Sequence, residues 1–273
     1  MASNATYTPP KPPASAVERS HKQRPQLELS IIAPAHNEED NIAGLLGDIE
    51  LALSGHEIDF EMILIDDGST DGTAAAMARE LPHYSWLRCY QMPHGPRGRG
   101  NGQSAAFHAG IRLAAGKTIA LMDADRQNDP ADLPTLLKTL ADAPADMVQG
   151  DRSANREGDL VRRASSGTGR AFRRWLLGDA IRDTGCSLRV FRREVGLELP
   201  LQYQGMHRFI PIYARMLGYR VLEVSVQHRV RVAGQGKYGV WNRALPGLID
   251  LFAVRWMRRR LRDTSTRPIE RMD

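Results

Sequence analysis

Two aspartates and a glutamine stand at alternate positions in Met122-Asp123-Ala124-Asp125-Arg126-Gln127-Asn128-Asp129-Pro130. Carboxylates and an amide oxygen are hard ligands of the kind that Mg²⁺ or Mn²⁺ takes. The apolar run before them, Thr118 to Met122, reads as a buried strand. Asp129-Pro130 reads as the start of a helix, with Asp129 as N-cap and Pro130 in the first helical position. A cation held by Asp123, Asp125 and Gln127 at the strand tip would hold a diphosphate and neutralise charge on a departing nucleotide. For an isolated Asp-x-Asp the plainer reading, a polar strand end with a helix cap, is the stronger one. The weight therefore falls on what the rest of the chain places beside it.

The elements that must position this tip alternate along the first half. Leu27 to Ala33 is a strand, followed by the turn Pro34-Ala35-His36-Asn37-Glu38-Glu39 with Asn37 as a candidate cap. A helix follows over Asn41 to Leu53, with Ile42, Leu45, Leu46, Ile49 and Leu53 on one face. Met62 to Ile65 is a second buried strand, ending in Asp66-Asp67-Gly68-Ser69-Thr70-Asp71-Gly72-Thr73, and a helix runs from about Ala74 to Leu81. Trp86 to Met92 is a third strand, Pro93 to Gly102 a Gly-rich basic loop, and Gln103 to Ala115 a helix leading back to the central strand. This alternation predicts an α/β fold, a mostly parallel central sheet with helices on both faces. Ligands in such sheets bind beyond the C-terminal strand edges. The clusters at Pro34–Glu38, Asp66-Asp67 and Asp123–Gln127 should then converge on one crevice, where facing carboxylates call for a cation. A dinucleotide-binding dehydrogenase is excluded by its own spacing. The glycines are Gly98-x-Gly100-x-Gly102, after the third strand and not the first, and no P-loop is present.

The 273 residues suffice for one large domain or two small ones. A composition of 42% hydrophobic and 25% charged residues is that of an ordinary globular protein. Net charge is +5, with arginines crowded between Arg152 and Arg193 and between Arg255 and Arg262, which suggests an anionic partner. The two cysteines, Cys89 and Cys186, make neither a disulfide framework nor a metal cluster, so a reducing cytoplasmic setting is expected. Residues 1–26, rich in Pro, Ser, Ala and Lys, read as a disordered leader without the apolar centre of a signal peptide. No stretch reaches the roughly 20 apolar residues of a membrane span. Aromatics are not interleaved with the basic clusters as a base-stacking platform requires, so no nucleic-acid partner is expected.

Four collinear segments carry a family resemblance: Pro34-Ala35-His36-Asn37-Glu38, Ile65 to Thr73, Gly102-Gln103-Ser104-Ala105-Ala106-Phe107-His108-Ala109-Gly110, and Met122 to Pro130. Together they resemble the family 2 glycosyltransferases of the Rossmann-like GT-A fold, most closely the dolichol-phosphate mannosyltransferase and polyprenyl-phosphate glycosyltransferase branch, over about Leu29 to Trp241. The resemblance implies an enzyme with a nucleotide-sugar donor (UDP- or GDP-sugar), a polyprenyl-phosphate acceptor and inversion at the anomeric carbon. It implies that Pro34, His36 and Glu38 contact base and ribose, that Asp66 and Asp67 form the base-ribose pair, and that Asp123, Asp125 and Gln127 hold the Mg²⁺ or Mn²⁺ and the diphosphate. A phosphate acceptor is already ionised near neutral pH and needs no general base. Transfer to a sugar hydroxyl would need a carboxylate base, and the Gln-x-x-Arg-Trp of processive relatives is absent, since Ala171 precedes Arg174-Trp175 and Phe252 precedes Arg255-Trp256. A non-catalytic nucleotide-sugar-binding subunit of a membrane complex is the other alternative.

In the second half, Ala145 to Gly150 reads as a strand ending at Arg152. Arg162 and Ser166 share a helix face by spacing. From charge alone they belong to a solvated basic face; the resemblance makes Arg152, Arg162 and Ser166 the acceptor-phosphate site. Asp183 to Arg193 resembles the Asp- and Gly-containing segment and strand of this branch, within which Cys186 reads as a small buried residue. His207, at the head of a helix running to Leu217, reads as structural or as a surface contact and not as catalytic, and Tyr219 to Val226 is a further strand. His228 to Gly239 resembles the loop that carries Arg-x-x-Gly-x-Ser-Lys in relatives. Arg231 and Lys237 match its cations as catalytic residues beside Asp125, and Gly236 replaces the Ser. Trp241, Leu245, Leu248, Ile249, Phe252 and Trp256 lie at helical spacing ahead of a run of arginines, with Pro246 placed to interrupt the helix early. This predicts three segments: leader 1–26, catalytic domain 27–239, and a basic amphipathic C-terminal helix and tail 240–273. That stripe suits either packing on the domain or an anionic membrane surface, reached peripherally on the cytoplasmic face or through a membrane partner protein. A homo-oligomer is left open.

Overall fold

In the computed structural model the described residues are 27–95, 100–153, 171–229 and 240–262, the last segment with its side chains from 247 onward. Seven strands form one sheet in the order β3-β2-β1-β4-β6-β5-β7. They are β1 Leu29–Ala35, β2 Phe60–Asp66, β3 Leu87–Gln91, β4 Thr118–Leu121, β5 Met147–Asp151, β6 Arg189–Arg192 and β7 Val221–Ser225. The first four pair in parallel, as do β5 and β7, whereas β6 runs antiparallel to both β4 and β5. The expected mostly parallel sheet is therefore present, with one reversed strand at its centre.

Alternation along the strands feeds two cores. Leu29, Ile31 and Ala33 of β1, Met62 and Leu64 of β2 and Ala120 of β4 face one side; Ile32, Ile63, Ile65, Ile119 and Leu121 face the other. Strands buried on both faces read as near-continuous apolar runs, which is why they were legible. The first face is covered by α1 Ile42–Leu53, α2 Thr73–Glu80 and α4 Leu133–Asp142. The five apolar positions expected on α1 are all buried. The second face is covered by α3 Gln103–Leu113, α5 Arg193–Glu198, α6 Ile210–Met216 and, through Val254, by α7 Val240–Arg260.

One expectation fails here. Pro246 does not interrupt α7, which runs unbroken from 240 to 260. Of the two settings open to the apolar stripe of α7, packing on the domain accounts for only part of it. Val254 is buried and Leu251 packs against the core, whereas Ile249, Phe252 and Trp256 are 61, 52 and 59% exposed. Among the described residues no helix is long and apolar enough to cross a membrane.

The N-terminal edge of the sheet is fastened by one buried carboxylate. Glu61 Oε1 accepts from Ser30 Oγ at 2.8 Å and from the Ala115 amide at 2.7 Å, and Oε2 pairs with Arg88. Ser30 Oγ in turn accepts from the Gly116 amide at 2.8 Å. Glu61 thus ties β1, β2, β3 and the α3–β4 connection at the end of the sheet away from the strand tips. Removing one partner of a buried pair strands the others. Glu61→Ala is expected to cost about 3 kcal/mol. Urea denaturation measures it, and an unchanged midpoint at unchanged slope would show that this knot contributes nothing.

Candidate active site

The C-terminal ends of β1, β2 and β4 lie side by side because β1 pairs with both of the others. Pro34, expected in the turn, lies in β1 opposite Ile65, and Ala35 ends the strand opposite Asp66. His36 follows, and its Nδ1–H donates to the Asp67 carbonyl at 2.9 Å, which fixes the tautomer. Asn37 sits at φ +55°. Its Oδ1 accepts from the Thr70 amide at 2.8 Å and its own N–H donates to Ser69 Oγ at 3.0 Å. Asn37 is therefore a link between the turns after β1 and β2 and not the cap of α1, which instead follows a 3₁₀ turn at Glu39–Asn41. Glu38 completes the lacing, donating its amide to Thr73 Oγ1 at 2.8 Å and accepting from Asn41 Nδ2 at 2.7 Å.

Asp66 and Asp67 are both buried, at 1 and 4% exposed. Asp66 accepts from the Ser69 amide at 3.0 Å and from Gln91 Nε2 at 2.9 Å. Asp67 accepts from the Asn101 and Gly102 amides, each at 2.7 Å, so its charge meets the N–H groups that lead into α3. A Cβ on Gly100 would lie 2.6 Å from Asp67 Oδ2, so only glycine admits this approach. The next residue after Gly102 carries the connection onward: Gln103 Nε2 donates to Asp123 Oδ1. The three strand ends thus meet through the start of α3.

At the tip of β4, Asp123 Oδ2 lies 2.6 Å from Ser187 Oγ, and the Asp123 amide donates to Asn128 Oδ1 at 3.0 Å. Ser187 Oγ also stands 2.8 Å from Asn128 Oδ1, and its single proton is shared between the two acceptors. Asp125 is 8% exposed and accepts from the Gln127 amide at 3.2 Å. Between them Arg126 sits at φ +60°. Backbone of this kind in non-glycine residues gathers at functional sites. Burial raises the pKa of Asp123 and the Asp125 charge raises it further, against the opposing Ser187 hydroxyl and the charges of Arg152 and Arg189. Asp129 caps the following 3₁₀ turn as expected, accepting from the Ala131 amide with Pro130 in first position.

Among the described residues no three His, Cys, Asp or Glu side chains gather to hold a metal. Two carboxylates and an amide oxygen are a smaller set, and it fits Mg²⁺ or Mn²⁺ in the usual manner, with the remaining positions left to water and phosphate oxygens. The mutual repulsion of Asp123 and Asp125 is what a cation between them would relieve.

The reversed strand β6 supplies the facing wall. Arg152, expected at the acceptor phosphate, donates from Nε to Asp183 Oδ2 at 2.8 Å and from Nη2 to Oδ1 at 3.2 Å. Burial alone would lower its pKa, but Asp183 outweighs this and the net shift is upward. Arg189 is 2% exposed and donates to the carbonyls of Ser187, His207 and Cys186. Burial pushes its pKa down to about 10, against the nearby charges of Asp123 and Asp183. Cys186 is buried with its thiol pushed up to about 11 by that burial, in keeping with a small interior residue. Arg162, Ser166, Arg231 and Lys237 lie outside the described residues. Gln103 and Ser187 stand inside matching segments, but no spacing points either to an aspartate 20 or 64 residues away.

His207 is structural, as expected. Its Nδ1 accepts from Ser104 Oγ at 2.8 Å and its amide donates to the same oxygen at 3.0 Å. Burial, then Arg208 and Arg189, push its pKa down to about 3. The folded state therefore binds its proton less readily than the unfolded chain, whose histidine titrates near 6.5. Its contribution is complete above pH 6.5 and is lost as pH falls toward 3. Stability of the wild type should decline over that window more steeply than stability of His207→Gln. Urea midpoints from pH 7 to 4 compare the two, and parallel curves would exclude the histidine as a source.

The profile of glycosyl transferase family 2 matches residues 30–197, more than half of the chain. A dodecaprenyl-phosphate galacturonate synthase of Rhizobium johnstonii is 33% identical over 236 residues, 85% of this chain and 68% of that protein. An undecaprenyl-phosphate 4-deoxy-4-formamido-L-arabinose transferase of Photorhabdus laumondii is 34% identical over 213 residues, 77% of this chain and 63% of that protein. Both relatives are thus half as long again as the part of them that this chain spans. Among solved structures, a Pyrobaculum calidifontis mannosyltransferase with GDP-Man and Mn²⁺ superposes with TM-score 0.61 at 21% identity, over 88% of this chain and 70% of that one. A Mycobacterium tuberculosis glucosyl-3-phosphoglycerate synthase with Mn²⁺ and UDP gives 0.62 at 20% identity, over 92 and 87%. These likenesses bear out the GT-A fold. With strand-tip aspartates, sheet order and profile in agreement, the chain belongs to glycosyl transferase family 2.

Proposed function

We propose that this glycosyltransferase moves a sugar from a nucleotide-sugar donor to a polyprenyl phosphate, with inversion and with Mg²⁺ or Mn²⁺ at Asp123, Asp125 and Gln127. The observation that carries this reading is the junction at Asp123, where the ends of β1, β2 and β4 are joined through Asp67, Gly102 and Gln103. Both relatives named above carry a polyprenyl phosphate in their names, which supports the acceptor. A bound divalent cation supplies positive charge for the donor diphosphate. Asp66, Asp67, Pro34, His36 and Glu38 form the base and ribose side. An acceptor phosphate oxygen attacks the anomeric carbon, the bond from that carbon to the diphosphate oxygen breaks on the opposite face, and the nucleoside diphosphate departs. No proton has to be removed from the nucleophile, so no general base is required. Arg152, with Arg162 and Ser166, receives the acceptor phosphate, and Arg231 and Lys237 meet the leaving diphosphate. The roles of Arg152, Arg162, Ser166, Arg231 and Lys237 rest on the resemblance.

The acceptor would be reached at an anionic bilayer surface. Trp175 is 77% exposed on the helical residues 171–177, and the exposed Ile249, Phe252 and Trp256 continue from α7. Arg255 and Arg258 donate to the carbonyls of Leu176 and Leu177, which ties the two helices together. Arg259, Arg260 and Arg262 are exposed, have no carboxylate partner among the described residues, and Arg260 lies over the Trp256 ring. Aromatic side chains flanked by arginine suit the headgroup layer of an anionic membrane.

Purified protein incubated with Mn²⁺ or Mg²⁺, a short polyprenyl phosphate and a panel of UDP-, GDP- and dTDP-sugars should yield a glycosyl-phosphoprenol by mass spectrometry. Asp125→Ala should reduce it on the order of 100-fold or more. Donor-dependent product on a saccharide hydroxyl and none on lipid phosphate would replace the acceptor. Product untouched by Asp125→Ala would remove the cation site. In vesicle sedimentation the protein should bind anionic and not neutral liposomes, less tightly as salt rises. Trp175→Ala with Trp256→Ala should weaken binding by about tenfold. Equal binding to both liposome types would exclude the membrane reading.

A further inference from the structure

The turn that carries Asp125 and Gln127 is held from behind by ion pairs outside the donor chemistry. Asp48, on α1, accepts on one oxygen from two guanidinium groups: Arg126 Nε at 2.9 Å and Arg229 Nη1 at 3.0 Å. Arg229 Nη2 reaches Asp129 at 2.7 Å, and the Arg229 amide donates to the Gln127 carbonyl at 2.9 Å. Asn128 and His228 form an antiparallel bridge between the same two stretches. We infer that Asp48 is a positioning residue for the donor site, holding Arg126 and Arg229 so that Asp125 and Gln127 present their oxygens together. This inference rests on the proposed cation site.

Three observations support it. Arg126 at φ +60° is strained, at a cost of about 1–2 kcal/mol for an L-residue, so something outside the turn must hold it there. Asp48 is the carboxylate that does so. Gly44, one turn earlier on α1, provides the room: a Cβ there would lie 2.3 Å from Arg126 Nη1. Lastly, the network is balanced, with Asp48 and Asp129 facing Arg126 and Arg229, all of them largely or partly buried. Without Asp48 two guanidinium groups repel each other close to a site that must attract a cation. The peptide units on either side of Gln127 then lose their anchor. Partners that orient metal ligands in this indirect way commonly change metal affinity by about 10–100-fold.

The test is Mn²⁺ affinity in the presence of UDP or GDP, read from the electron paramagnetic resonance of free Mn²⁺, with turnover measured alongside. Asp48→Asn should weaken Mn²⁺ binding by about tenfold. At saturating Mn²⁺ it should raise the donor KM more than it lowers kcat. Asp48→Glu should recover part of the affinity. Gly44→Ala, whose methyl displaces only the end of a flexible side chain and favours the helix, should reproduce the loss without unfolding. In Arg126→Ala, Asp48→Asn should have a smaller effect than in the wild type, because the two changes share one interaction. Wild-type affinity in both Asp48→Asn and Gly44→Ala overturns the inference while leaving the cation site standing. A wild type that binds no Mn²⁺, or an Asp125→Ala that binds it as well as wild type, overturns the cation site itself and the inference with it.

Discussion

The rest of the structure depends on holding the Asp123 carboxylate away from bulk water beside a second carboxylate. Withdrawing an ion from water costs several kcal/mol unless hydrogen bonds and opposite charge compensate. Here the compensation comes from four separate elements: Gln103 from α3, Ser187 from the segment before β6, and the charges of Arg152 after β5 and Arg189 on β6. Each of these groups has to be held in turn. Arg152 is forked onto Asp183, and Arg189 is spread over three carbonyls. The site is in this sense a demand made by one side chain and met by most of the sheet's C-terminal edge. The repulsion between Asp123 and Asp125 works against that compensation.

The two ends of the sheet divide the work. At the N-terminal edge Glu61 has a full complement of protein donors and serves cohesion. At the other edge Asp66 and Asp67 are as deeply buried, but they spend their charge in shaping turns and the start of α3. Among the described residues the non-glycine residues at positive φ are Asn37 and Arg126, and both stand at that second edge. Strain is concentrated where the chain must turn sharply and still present side chains on one side.

What could be read from the sequence follows the same division. The strands and α1 showed their faces because period-two and period-3.6 apolar patterns survive in any context, and Asp129-Pro130 announced its turn through local chemistry alone. The strand-tip aspartates were legible as a group because collinear motifs and sheet topology agree on where they must meet. The direction of β6 was not legible: four residues, Arg189 to Arg192, with arginine at both ends, carry no sign of orientation. Nor was the engagement of Arg152 by Asp183, since nothing in the spacing of two residues 31 apart says that they pair. Asn37 looked like a helix cap because its type favours caps. The same amide prefers left-handed backbone, and here that preference prevails. The outward aromatic stripe of α7 follows the same rule: helical spacing reveals that a face exists and not what lies against it.

The reversal of β6 has a consequence for how such a chain can diversify. Because β6 runs antiparallel to β5, the end of β5 at Asp151 and the start of β6 at Arg189 lie at the same edge of the sheet. The Arg152–Asp183 pair joins the residue just after β5 to the segment before β6. Lengthening a closed loop costs entropy only logarithmically, roughly 0.6 kcal/mol for each doubling. Insertions between Arg152 and Asp183 that leave the buried Leu176, Leu177 and Ile181 in place should therefore carry a small entropic cost. The strand-end aspartates have no such freedom, since each meets fixed partners: Asp66 the Ser69 amide, Asp67 the Asn101 and Gly102 amides, and Asp123 the Gln103 and Ser187 side chains. The architecture thus sets strand ends fixed by their hydrogen-bonded partners beside a connection whose length can vary.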